Sequence, residues 1–276
     1  MITEFITYIK NLKGYSLNTC KAYEFDLRQF AGWLQANRDD ARWSTIQRKD
    51  IDEYIIYLRE RGAMPATTNR VLSSISSLYH YFMREGLTHE NPCRYESRAK
   101  MDETIPRTIP MADLYRAYQN NKGVQRIMIG LLATTGMRIQ EMLDMQWEDI
   151  DFETNAIRVH GKGRRERIVY TTKGVLDNWR PVIQDLAVHG RVFLYQQRKT
   201  RAIIYEAIRP YTRVRKISPH IIRHTYATHL AKMGLNVAQI SKMLGHRRLD
   251  TTQKYIDMAQ LEMANNNLPK LTIPTV

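Results

Sequence analysis

The sequence predicts a mainly α-helical protein of two domains, an N-terminal all-helical bundle and a C-terminal α+β domain with a small antiparallel sheet. Three observations lead there. Apolar residues recur at helical spacing through roughly the first 90 residues. Prolines and a charge run break that pattern between Asn91 and Pro110. Beyond the break, one pair of alternating segments is set among further helical stretches. A chain of 276 residues is long enough for two ordinary domains, each with its own core. The expected division is a helical domain over 1–92, a linker over 93–110, and a second domain over 111–276 with a tail from about 260.

The first helix is read over Ile2 to Leu12, with Ile2, Phe5, Ile6 and Ile9 inward and Gly14 as its stop. Ser16 is suited to cap the second helix, whose apolar face is Leu17, Ala22 or Tyr23, Leu27, Phe30 and Leu34. Asp50 is read as the cap of a third helix, with Ile51, Tyr54, Ile55 and Leu58 inward and Gly62 as its exit. Pro65 opens a fourth, because its missing N–H costs nothing in a first turn. Val71, Leu72, Ile75, Leu78, Tyr79 and Phe82 form its apolar stripe. The linker carries Asn91-Pro92, a basic run from Arg94 to Lys100, Pro106 and Pro110, and has no apolar stripe.

In the second domain, helices are expected over Met111 to Asn120, Val124 to Thr134, Ile139 to Met145, Lys173 to Val188, Thr200 to Thr212, His220 to Met233 and Val237 to Leu244. Ala156 to His160 and Glu166 to Tyr170 alternate like strands on either side of Gly161-Lys162-Gly163-Arg164-Arg165, which predicts a β-hairpin. Trp147 to Phe152 is a candidate third strand at its edge.

The charge points to the partner. Lys and Arg number 42 against 28 Asp and Glu, a formal net charge of +14, which favours a polyanion such as nucleic acid. Lys21, Arg28, Arg70, Ser73, Ser76, Ser77 and His80 lie on polar helix faces of the first domain. Short hydroxyl side chains between basic ones suit close approach to a phosphate backbone, although a solvated helix face looks the same. Cys20 and Cys93 have no paired spacing, so neither a disulfide framework nor a cysteine zinc site is expected. No long apolar run and no signal-peptide pattern is present, and a cytoplasmic protein that does not engage membranes is expected.

The chemistry gathers in four segments of the second domain. Arg138 follows the small-residue turn Thr134-Thr135-Gly136, and Glu141 lies one turn later on the same face, where it can orient the guanidinium. Lys162 occupies the hairpin tip, beside Arg164, Arg165 and Arg167, which are candidates to hold phosphates. A lysine among cations has a lowered pKa and suits proton donation to a departing sugar oxygen. His220 and Arg223 share a helical face just after Pro219. Tyr255 follows His246 by nine residues. Attack on a phosphodiester gathers negative charge on non-bridging oxygens, which arginine forks can offset. A tyrosine is an oxygen nucleophile only where positive charge favours its phenolate. Singly, each feature also fits a surface ion pair, a helix cap or a core tyrosine. His220 and His224 are spaced as in the helical zinc motif, but Ile221 stands where that motif needs a glutamate, and no metal is expected.

As a set and in order, these segments resemble the tyrosine recombinase, phage integrase-like family, most of all its Xer-type members. The matching blocks are Thr135 to Leu143, Val159 to Val169, Ser218 to Leu230 and Leu244 to Ile256. The resemblance implies a SAM-like, core-binding first domain and a catalytic second domain. It implies that Arg138 and Arg223 grip the scissile phosphate, that His220 and His246 complete the pocket, and that Glu141 supports it. Lys162 would protonate the leaving 5′ oxygen, and Tyr255 would become joined to the 3′ phosphate. Neither metal nor nucleotide is implied as a cofactor. The implied partners are double-stranded DNA recombination sites and further copies of the chain: a tetramer on two sites, with the free protein a monomer or dimer. A C-terminal segment, Gln260 to Val276 here, would dock on a neighbouring protomer. The competing readings are a type IB topoisomerase-like enzyme that relaxes supercoils, and a non-catalytic DNA-binding regulator.

Overall fold

The computed structural model describes residues 1–94, 98–99, 106–161, 165–177, 179, 190–246 and 249–266. The chain forms two compact units, Met1–Glu103 and Thr104–Val276. Among the described residues no helix is long and apolar enough to cross a membrane.

Among the described residues the first unit holds four helices, α1 (Ile2–Asn11), α2 (Leu17–Asn37), α3 (Arg48–Glu60) and α4 (Pro65–Arg84). Their apolar stripes meet in one core built on Phe5, Leu27, Phe30, Ile51, Tyr54, Ile75, Leu78 and Phe82. Ser16 caps α2 as expected, its hydroxyl accepting the Thr19 N–H at 3.2 Å. Two local expectations need correction. Leu17, on the first turn of α2, is exposed, and the buried stripe opens at Cys20. Asp50 does not cap α3; Gln47 holds the cap position, and Asp50, three residues on, accepts the Gln47 N–H at 2.7 Å. A carboxylate in a first turn satisfies the same orphan donors from inside the helix. Within the stretch expected as a linker, Ala99 is held to this unit: Asn69 exchanges two 2.9 Å hydrogen bonds with its backbone.

The second unit begins with α5 (Met111–Asn120), α6 (Gly123–Thr135) and α7 (Ile139–Asp144). A three-stranded antiparallel sheet follows in the order β1-β2-β3: Ile150–Asp151, Ala156–Gly161 and Arg165–Tyr170. The hairpin register pairs Ala156 with Tyr170 and Gly161 with Arg165. The edge strand is shorter than the sequence suggests, because Trp147–Asp149 closes into a 3-10 turn before it. After α8 (Lys173–Asp177), the remainder of the helix expected to Val188 lies outside the described residues. Then come α9 (Gln197–Ile208), α10 (Pro219–Lys232), α11 (Val237–Leu244) and α12 (Asp250–Asn266). The last is the largest departure from expectation: residues 260–266, read as the start of a tail, continue a helix. Its inward positions include Thr252 and Ala259 beside Tyr255 and Met258, so its apolar stripe is faint in the sequence.

Helix α6 lies in the main core, with every residue from Ile127 to Leu132 buried. It ends at Gly136 in the left-handed conformation, φ 60°. A Cβ there would stand 2.2 Å from Tyr226 and 2.9 Å from Leu244, so this turn needs glycine for both conformation and space. A smaller core of Tyr226, Ala227, Leu230, Ile240, Leu244 and Tyr255 joins α10, α11 and α12.

Gly136→Ala is expected to destabilise the protein by about 2 to 4 kcal/mol, from backbone strain plus overpacking; denaturant midpoints check this. In the first unit Asp26 is buried, with Arg70 at 3.1 Å, and burial outweighs that arginine to push its carboxyl from 3.8 to about 6. The native state therefore binds this proton more tightly than the unfolded chain, and stability declines as pH rises from about 4 to 6. Asp26→Asn should remove that decline, so the variant gains on the wild type across this window in denaturation at a series of pH values.

Candidate active site

Four residues come together around the carboxyl end of α11. A helix end leaves its last carbonyls unpaired and carries partial negative charge, which suits arginine donors. Arg223, from α10, donates through Nη2 to the Leu244 carbonyl at 2.7 Å and through Nη1 to the Gly136 carbonyl at 2.7 Å. Arg167, from β3, donates through Nε to the Met243 carbonyl at 3.0 Å. Arg138, at the N-cap of α7, makes a longer 3.4 Å contact with the Gly245 carbonyl. Glu141, one turn into α7, ties two of them: it accepts from Arg138 Nη1 at 2.7 Å and from Arg167 at 3.0 and 2.8 Å, and also takes the Arg138 backbone N–H at 2.7 Å.

The electrostatics follow from this packing. Burial alone would raise the Glu141 carboxyl, but Arg167 and then Arg138 overcome it and hold it below its usual range. Burial lowers Arg223 to about 10, with Arg138 adding to the effect, so it stays charged at neutral pH. At 2% exposed, Arg223 is the deepest of the three arginines gathered here.

Tyr255 lies on α12, 2% exposed, and its hydroxyl is 2.6 Å from Nδ1 of His224. His220 stands one turn before His224 on α10, with the two rings 4.4 Å apart. His246, just past α11, bonds through Nδ1 to the Thr252 hydroxyl at 2.8 Å, and its ring lies 6.2 Å from that of Tyr255. Burial first, and neighbouring cations second, lower all three imidazoles: His224 and His246 to about 4, and His220 below its usual value. Arg223 contributes to each. Burial raises the Tyr255 phenol, while Arg223 and Arg138 pull it down. The expectation of a field that favours the phenolate is thus corrected: in this state burial outweighs the arginines.

The structure brings together Arg138, Glu141, His220, Arg223, His246 and Tyr255 from segments far apart in sequence. Lys162 and Arg164 lie outside the described residues, as does the side chain of Arg165. Arg167, one of the expected phosphate-holding side chains, turns its guanidinium toward Glu141 and the Met243 carbonyl. In the first unit, Lys21 and His80 are exposed, Arg28 is paired with Glu24 at 2.7 Å, Arg70 with Asp26, and Ser73 donates to the Asn69 carbonyl. Three members escape the sequence reading: His224 as the partner of Tyr255, Thr252 as the partner of His246, and Lys254, whose charge lowers His220, His224 and His246. Helical spacing from Thr252 to Tyr255 and from His220 to His224 is the signal that could have found the first two. Among the described residues no group of three or more His, Cys, Asp or Glu is placed to hold a metal ion.

Both units of the chain match known protein families. Residues 110–262 match the phage integrase family, and residues 2–86 match the phage integrase N-terminal SAM-like domain. The chain is 30% identical to tyrosine recombinase XerC of Thermodesulfovibrio yellowstonii, over 94% of this chain and 93% of that one. It is 27% identical to tyrosine recombinase XerD of Listeria innocua, over 95% of each. The fold is similar to that of XerH site-specific recombinase in a crystal structure bound to a palindromic difH substrate, with a TM-score of 0.73 at 18% identity, covering 97% of this chain and 84% of that one. By family and by fold, the chain belongs to the phage integrase family of tyrosine-type site-specific recombinases.

Proposed function

We propose that the protein cuts and rejoins duplex DNA at specific sites through a phosphotyrosyl intermediate on Tyr255. The observation that carries this reading is the placement of one phenol, from α12, in the field of Arg138 and Arg223, with His246 near its ring and His220 packed on the intervening His224. Family membership and the relatives named tyrosine recombinases give it further support.

The chemistry is derived from these groups. The phenolic oxygen attacks phosphorus, forming a bond to the 3′ phosphate as the bond to the 5′ oxygen breaks. Two of the five N–H donors on Arg223 are spent on backbone carbonyls. The remaining guanidinium surface, with Arg138, offsets charge gathering on the non-bridging oxygens. His220 and His246 complete the pocket as neutral hydrogen-bonding groups, and Glu141 fixes the direction of Arg138. Lys162 supplies the proton to the departing 5′ oxygen. The arginines provide the positive charge that the reaction needs, and the phosphotyrosyl bond conserves the energy of the broken one, so neither metal nor nucleotide is called for. A 5′ hydroxyl then attacks the phosphotyrosine and restores a continuous strand.

The first unit grips DNA through the basic face of α2 and α4, including Lys21, Arg28, Arg70, Ser73 and His80, and Arg164 and Arg165 add phosphate contacts in the second. Four protomers act on two sites, with the residues beyond α12 docking on a neighbour. The bulk charge of +14 suits that polyanionic partner.

Tyr255→Phe should leave DNA affinity nearly unchanged and abolish the SDS-resistant protein-DNA adduct. A persisting adduct would assign the nucleophile elsewhere. A two-site assay on the wild type should yield recombinant products; relaxation of supercoils with no recombinants would point to a topoisomerase.

A further inference from the structure

The reaction just proposed leaves one proton without a destination. Tyr255 begins as a neutral phenol, its pKa raised by burial, and must shed that proton as its oxygen bonds to phosphorus. Lys162 delivers a different proton, to the other side of the phosphorus. His246 has its Nδ1 committed to Thr252 at 2.8 Å. The phenolic oxygen itself lies 2.6 Å from Nδ1 of His224.

We propose that His224 is a catalytic residue, the base that takes the Tyr255 proton on Nδ1 during cleavage and returns it during rejoining. The proposal rests on the reading of Tyr255 as nucleophile. In the forward step the O–H bond of Tyr255 breaks, its electron pair forms the O–P bond, the proton passes to Nδ1, and the 5′ oxygen leaves with the proton from Lys162. In the reverse step the phenolate recovers the proton from the imidazolium, so no further reactant is needed.

Three features of the site favour this role. The ring is neutral at neutral pH, held there by burial and by His220, Lys254 and Arg223, so Nδ1 is free to accept when Nε2 carries the hydrogen. The neighbours that set its proton affinity are His220 and Arg223 on its own helix and Lys254 and Tyr255 on α12. All the charged ones are cationic, which makes the resting ring a weak base. The arriving phosphate brings the opposite charge, and a nearby anion raises an imidazole's proton affinity. Basicity therefore rises only when DNA is seated, and the phenol stays protonated until then. The contact also spans α10 and α12, so the base and nucleophile are held by packing of Tyr226, Ala227, Leu244 and Tyr255 rather than by a loop.

The test uses the full-length protein and a nicked duplex carrying the sequence that the wild type selects, as SDS-resistant adduct, from a randomised library. Single-turnover adduct formation is followed against pH for the wild type, His224→Asn, His224→Gln and Tyr255→Phe, with thermal melting and DNA affinity as controls. Asparagine and glutamine can accept a hydrogen bond but cannot take up the proton. At neutral pH the His224 variants should cleave about 10²- to 10⁴-fold more slowly while folding and binding normally. Their rates should climb about tenfold per pH unit toward the phenol's own pKa, where hydroxide replaces the lost base. Wild-type rates in these variants, or a deficit that does not change with pH, would overturn the role of His224 as a base. Absence of adduct in the wild type, or its persistence in Tyr255→Phe, would instead refute Tyr255 as nucleophile. In the free protein, ¹⁵N-histidine spectra should show Nδ1 of His224 as an unprotonated acceptor that responds to Tyr255→Phe; an Nδ1-protonated tautomer contradicts the proposal without any DNA.

Discussion

The arrangement depends on the carboxyl end of one short helix. The carbonyls of Met243, Leu244 and Gly245 receive Arg167, Arg223 and Arg138, which arrive from β3, α10 and α7. Three guanidinium groups repel one another, and gathering them needs compensation. The helix end supplies partial negative charge and unpaired acceptors, and Glu141 supplies one full negative charge shared between Arg138 and Arg167. With fewer anions than arginines, the cluster keeps a net positive charge. That surplus is what a phosphate would meet, and the pull of Arg223 and Arg138 on the Tyr255 phenol is its trace in the free protein.

On the proposed reading, the resting site keeps its nucleophile quiet. Tyr255 is packed in a small apolar core, and its phenol is harder to ionise than in water despite two nearby arginines. A phenolate formed without DNA would be a buried anion of little use. A phosphate changes the balance by bringing charge to the imidazoles and arginines at once. In the proposed reaction, coupling of proton transfer to substrate arrival would follow from that geometry, with no separate switch required.

Much of this was legible in the sequence, for identifiable reasons. The four stripes of the first unit are strongly periodic, and Ser16 and Pro65 mark helix starts with side chains whose physics is local. The hairpin is legible because Ile157, Val159 and Val169 alternate with polar residues. Arg138, Glu141, His220, Arg223, His246 and Tyr255 stand in segments whose residue types suit one chemistry, and packing brings them together. What escaped is set by tertiary context. Arg167 sits in a basic run, and only the fold turns it inward to Glu141. Helix α12 buries Thr252 and Ala259 along with Tyr255, so its inward face carries too little apolar character to announce a helix. His224 meets Tyr255, 31 positions away on another helix, a pairing that spacing alone does not encode. The start of α3 is ambiguous in the sequence because Asp serves equally well at the cap and within the first turn, and Gln47 is a less usual cap.

The most direct test of the central claim is to digest the covalent protein-DNA adduct with trypsin and nuclease and sequence the modified peptide by mass spectrometry. The prediction is a nucleotide attached through a 3′ phosphate to the hydroxyl of Tyr255, on the peptide released by cleavage after Lys254. A nucleotide on any other residue, or attachment through a 5′ phosphate, would contradict the convergence of this phenol and these arginines on one phosphorus atom.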